Sequence, residues 1–154
     1  MGYKKKNESF TEAHIFRSAT RLFSVSELKI RNMSQTAQRT VGDMILRNIG
    51  KCIEYAKIGW ETPKNKVKLK LTYMVLAKRE LDKTEALLGL LIDSGVIPVK
   101  NKVNMTRDVL IKGGAEMSYA LGNFENEINT LIKSFEEKID NLQLEEIYDK
   151  LPLY

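Results

Sequence analysis

The chain has 154 residues, 43% of them hydrophobic and 29% charged, which excludes a disordered or low-complexity protein and suits one globular domain. Its net charge of +5 is unevenly spread: residues 1–112 hold 22 Lys and Arg against 11 Asp and Glu, and residues 113–154 hold 3 against 9. The basic part is a candidate polyanion surface; solubility, exposed helix faces and contact with the acidic tail of another copy are the ordinary alternatives.

Residues 1–8 read as a basic, disordered lead, residues 9–140 as a helical domain and residues 141–154 as an acidic tail that is either a short docking segment or frayed. Ser9 and Glu12 have the spacing of a capping box, which predicts a first helix from there to about Met33. Its apolar seam is Phe16, Ala19, Phe23, Ser26, Ile30 and Met33. Ser34 or Thr36 caps a second helix with the stripe Val41, Met44, Ile45, Ile49, Cys52, Ala56 and Trp60. Cys52, the only cysteine, thus lies in a seam and reads as a small buried hydrophobe, in keeping with a reducing compartment.

Thr62 and Pro63 read as the start of the third helix, a capping side chain followed by a proline whose missing N–H costs nothing in a first turn. From Val67 to Gly95, Met74, Ala77, Leu81, Thr84, Leu88, Leu91 and Ile92 share one face, and Gly95 and Pro98 end the helix. Lys68, Arg79 and Lys83 fall on the opposite side, joined by Lys64 if the helix starts that early. Lys66 and Lys70 point nearer the core, at the end of the domain. A loop with Asn101 and Asn104 leads to a fourth helix ending near Ile139, where Leu110, Gly114, Met117, Leu121, Phe124, Ile128, Leu131 and Phe135 alternate at four and three. Four helical blocks without an alternating strand pattern predict an all-α fold, an antiparallel up-down-up-down four-helix bundle. Glycines inside the helices, Gly42, Gly50, Gly59, Gly89, Gly113, Gly114 and Gly122, mark close approach, kinks or tolerance.

Little in the sequence carries catalytic chemistry. His14 is the only histidine and reads as a surface residue, so neither a His-based triad nor a His-pair metal site is expected. The phosphate-loop and dinucleotide glycine motifs are absent, and no Glu-x-x-His pair supports a di-metal centre. Glu116, Glu125, Glu127, Glu136 and Glu137 read as a solvated face. The expectation is a protein that is not an enzyme and needs no cofactor. No stretch is long and apolar enough to span a membrane, and MGYKKKNESF lacks a signal-peptide core, so a cytoplasmic location is expected. Arg47 and Lys51 on the second helix, with Lys64, Lys68, Arg79 and Lys83 on the third, are the candidate nucleic-acid-binding residues. Aromatics are few and no stacking motif is visible, which favours phosphate contact over base readout.

TVGDMI (Thr40 to Ile45), a turn ending in Pro63, LLGLLIDSGVI (Leu87 to Ile97) and EMSYALGNF (Glu116 to Phe124) resemble, in order and spacing, the accessory variability determinant (Avd) family of diversity-generating retroelements. That family belongs to a broader group of bacterial four-helix-bundle proteins, which includes those encoded in 23S rRNA intervening sequences. The resemblance covers residues 12–135. Family members tend to carry Arg where this chain has Gly89, and a Gly-Gly-Trp-like end where it has Gly122, Asn123 and Phe124. The resemblance implies a homopentamer whose basic surface engages a reverse transcriptase and its template RNA or cDNA, without catalysis of its own. The competing expectation is a structural, protein-interaction bundle of the intervening-sequence type, with no nucleic-acid role.

Overall fold

A computed structural model of the chain describes residues 9–94 and 115–151, whose regular structure is all helical, with no strand among them. A 3-10 turn, Phe10–Glu12, leads into α1 (His14–Arg31). A short helix α2 (Gln35–Ala37) passes through a π turn, Gln38–Gly42, into α3 (Asp43–Glu61). The remaining helices are α4 (Val67–Asp93), α5 (Ala115–Glu136) and α6 (Asn141–Lys150). Among the four long helices, α1 packs on α3 and α5, and α4 packs on α3 and α5.

The Ser9 capping box forms, with the Glu12 carboxylate accepting from the Ser9 N–H at 3.4 Å, but it opens only the 3-10 turn. Ala13 is extended, so α1 begins at His14. Ala19, Ser26, Ile30 and Met33 of the expected seam are buried and Phe16 is half-buried, with Ile15 and Leu22 buried beside them, while Phe23, expected inside, is exposed. Phe10 is buried instead, its ring edge-on to Phe16 at 5.4 Å and to Trp60 at 6.4 Å. At the far end, the Gln38 side-chain amide donates to the carbonyls of Arg31 and Met33 at 3.0 and 2.7 Å, satisfying acceptors that the end of α1 leaves open.

Ser34 is the cap of the following segment, its Oγ accepting from the Ala37 N–H at 3.2 Å. Ile45, Ile49, Cys52, Ala56 and Gly59 then form the buried line of α3. Met44, expected in that line, is 47% exposed, since the residue after it already fills the seam one helical step away. Thr62 does not start α4. Its hydroxyl donates to the Ile58 carbonyl at 2.7 Å and its backbone is extended, so it closes α3. Helix α4 begins four residues after Pro63, and Lys66, expected near the core, lies in the connection and is exposed.

Met74, Ala77, Leu81, Thr84, Leu88 and Leu91 are all buried, as the period of α4 predicts. Leu121, Phe124, Ile128 and Phe135 of α5 are buried in the same core, with Leu131 half-buried. Helix α5 stops at Glu136 rather than Ile139, and Ile139 is buried in the turn beyond it. The described part of the acidic tail, from residue 141 to 150, is a helix: Asp140 caps α6 by accepting from the Gln143 N–H at 2.9 Å, and Leu144, Ile147 and Leu151 rest on the core. Residues 1–8, the stop at Gly95 and Pro98, the Asn101–Asn104 loop, Leu110, Gly113 and Gly114 lie outside the described residues, as do the side chains of Ile92, Glu116 and Met117.

Two glycines mark close helix approach. A Cβ on Gly59 would stand 3.2 Å from the Tyr73 Cβ and 3.3 Å from the Lys70 carbonyl oxygen, and one on Gly42 would stand 2.7 Å from Ile30. Gly50 and Gly89 have nothing within 4 Å of that position. Gly50→Ala and Gly89→Ala should therefore each raise stability by about 0.5–1 kcal/mol, through the higher helix propensity of Ala. Gly59→Ala should lower it by about 1–3 kcal/mol, because α4 backbone blocks the new methyl. Urea unfolding followed by helical circular dichroism measures all three.

Candidate nucleic-acid interface

The candidate basic residues occupy α3, the α3–α4 connection and α4. Arg47 and Lys51 are exposed one turn apart on α3, and Lys64 and Lys68 are exposed around the start of α4. Arg79 and Lys83 are half-buried farther along α4, and the Lys83 ammonium lies 3.0 Å from a Glu80 carboxylate oxygen. The Lys68 ammonium lies 3.0 Å from the Gln143 side chain of α6, with the Gln143 amide oriented to present its oxygen. Arg17 and Arg21 are also exposed one turn apart, on α1; they lie outside the predicted binding set, although their spacing matches that of Arg47 and Lys51.

Lys70 plays a different part. It is buried, and its ammonium donates to the Gly59 and Trp60 carbonyls at 2.9 Å each, placing a cation on the negative end of α3. The Phe135 ring of α5 stands 5.6 Å from the same ammonium. Burial pushes the Lys70 pKa below the ordinary lysine value, and Lys138 and Lys64 add repulsion.

Two glutamates expected on a solvated face hold helices together. Glu127 of α5 is half-buried; one oxygen lies 2.6 Å from His14 Nδ1 and the other accepts from the Ser18 hydroxyl. This brings Ser, His and a carboxylate together, but the carboxylate stands between the other two. The imidazole therefore cannot take the serine proton, and the cluster ties α1 to α5. Glu125 is half-buried beside Lys78 at 3.7 Å, and Lys78 also lies 2.9 Å from Asp82. Asp82, Glu85 and Glu125 place carboxylate oxygens within 4.8 Å of one another, and Lys78 supplies a cation to that group. Burial works against the Lys78 ammonium, yet the Asp82 hydrogen bond and the charges of Asp82, Glu125 and Glu85 outweigh it and raise its pKa.

The seam position of Cys52 is fully buried, and burial, helped by the charges of Glu80 and Asp82, pushes its thiol well above the ordinary range. It carries no nucleophile chemistry. Next to it on α3, the structure pairs two aromatics that the linear sequence keeps apart: the Tyr55 and Tyr73 rings lie 6.3 Å apart at 33°, with the Lys51 ammonium 5.9 Å from the Tyr55 ring centre. None of the described helices is long and apolar enough to cross a membrane. Comparison with protein-family models, curated proteins and solved structures gives no match to this chain.

Lys70 and Lys78 should respond oppositely to pH. Lys70→Met should cost about 1–3 kcal/mol at neutral pH by stranding two carbonyls. The folded chain gives up the Lys70 proton before the unfolded chain does, so wild-type stability rises relative to this variant as pH climbs toward 10.5. For Lys78 the folded chain keeps the proton longer. Its contribution is complete below 10.5 and is lost as pH passes the raised value, so the gap to Lys78→Met narrows there. Chemical unfolding of the three proteins from neutral to alkaline pH reads both trends.

Proposed function

We propose that this chain is a non-enzymatic accessory protein of a diversity-generating retroelement, an Avd-like antiparallel four-helix bundle that holds nucleic acid beside a reverse transcriptase. The observation that carries the nucleic-acid part is the set of exposed cations on adjoining helices: Arg47 and Lys51 on α3, with Lys64 and Lys68 at the start of α4. Such a surface attracts phosphates by releasing their counterions, which makes binding tolerant of sequence and sensitive to salt. Arg79 and Lys83 extend the surface along α4.

The bundle arrangement is supported by contacts that alternate from end to end. Phe10, just before α1, meets Trp60 at the end of α3, while Gly42, just before α3, faces Ile30 at the end of α1. Lys70 near the start of α4 reaches both Gly59 and Trp60 at the end of α3 and Phe135 at the end of α5. The reverse transcriptase, the template RNA or cDNA and the homopentamer rest on the motif resemblance. In that role the protein positions template and polymerase while the polymerase does the chemistry.

The protein should bind a structured RNA or a duplex DNA with an affinity that falls steeply with salt. Changing Arg47, Lys51 and Lys68 together to Glu should weaken binding at least tenfold and flatten the salt slope by about one unit per lost phosphate contact. Binding that is absent at low salt, or unchanged in the triple variant, would remove the nucleic-acid role and favour a protein-interaction bundle. Mass in solution tests the pentamer separately.

A further inference from the structure

The connection between Tyr55, Tyr73 and Lys51 has a use that phosphate contact alone does not require. Tyr55 and Tyr73 come from different helices and meet across the α3–α4 groove at 6.3 Å. Both are half-buried, and the inner side of Tyr55 rests on the core. Lys51 is exposed, and its ammonium lies over the Tyr55 ring, 5.9 Å from the ring centre, so the solvent side of that ring carries a cation. Arg47 stands one turn before Lys51 on the same helix, also exposed.

We propose that the Tyr55–Tyr73 pair is a stacking step for an unpaired base, which directs this surface to single-stranded rather than duplex nucleic acid. The proposal rests on the nucleic-acid reading above and narrows its ligand. In the free protein Lys51 covers the Tyr55 ring as a cation on a π face. An incoming base offers that face a larger partner, and the displaced ammonium is then one side-chain length from the phosphate that follows the base. Arg47 holds the next phosphate along α3. A paired base cannot present its face without leaving its stack, so a duplex gains the phosphate contacts and forgoes the stacking. Stacking on tyrosine accepts any base, because every base has a π face.

The experiment compares a short oligouridylate, the matching oligothymidylate and a hairpin duplex, each titrated into the full chain and into Tyr55→Leu, Tyr73→Leu and Tyr55→Phe. Both single strands should bind more tightly than the duplex. Each leucine variant should lose about fivefold or more of single-strand affinity and keep its duplex affinity, while Tyr55→Phe behaves as wild type. Iodouridine-containing oligonucleotide, photo-crosslinked to the wild-type protein, should attach at Tyr55 or Tyr73 by mass spectrometry; this readout holds even where a leucine variant fails to fold. Crosslinks confined to other residues, or folded leucine variants that weaken single strand and duplex alike or neither, would overturn the stacking step while salt-sensitive binding stood. Failure of all three probes to bind at low salt would overturn the nucleic-acid reading itself.

Discussion

The contact on which this fold depends is the seating of the Lys70 ammonium on the last carbonyls of α3. A helix that ends inside a domain leaves acceptors without partners, and burying them unsatisfied is costly. Lys70 answers two of them at 2.9 Å each, from the second turn of the helix that follows. It reaches them because Gly59 has no side chain, which lets the α4 backbone come close enough that a Cβ would crowd the Lys70 carbonyl at 3.3 Å. The cation thus fixes the register between α3 and α4. Once that register is set, the seam of α3 through Ile49, Cys52 and Ala56 lies against the seam of α4 through Met74, Ala77 and Leu81, and Phe135 of α5 closes over the same ammonium.

Much of this was legible as periodicity. The seam of α4 is buried at every described position the spacing selects, because a long helix averages over the error in any one residue. The exceptions are single positions: Phe23 is exposed although Ala19, Ser26, Ile30 and Met33 of the same spacing are buried, and Met44 is exposed because Ile45 beside it takes the seam position. Thr62 departs from expectation for another reason: a threonine between helices can accept from the turn ahead or donate to the turn behind, and here it donates to Ile58. Nothing in Asn141–Lys150 has a strong period, but Asp140 ahead of Gln143 was a capping pair available to inspection.

Charges were harder to read, because composition counts them and says nothing about their partners. Several cations of the basic part pair with acids three or four residues away: Arg31 with Glu27, Lys57 with Glu61, Lys78 with Asp82 and Lys83 with Glu80. Exposed pairs of this kind add little stability, but each local acid lowers the field that a distant phosphate feels. The surplus in residues 1–112 therefore overstates the exposed charge; of the candidate cations, Arg47 and Lys51 are exposed in the first half of α3 and Lys64 and Lys68 around the start of α4. Beside Lys68 the neighbour is a neutral amide, Gln143, from a helix that otherwise carries Glu145, Glu146 and Asp149 exposed. Gln143 thus meets Lys68 through dipole rather than charge.

The aromatic pair follows from the same constraint that sets the fold. Tyr55 lies one turn before Gly59 on α3, and Gly59 is the residue that lets Tyr73 approach. A side chain at position 59 would separate the helices and part the two rings, so the glycine that admits Lys70 to the α3 carbonyls also builds the tyrosine pair beside Lys51. From the sequence these were three unrelated residues on two helices, with no motif to connect them. The register imposed by one buried cation is what turns them into a single surface feature, and it ties that feature to the close approach of α3 and α4 at Gly59.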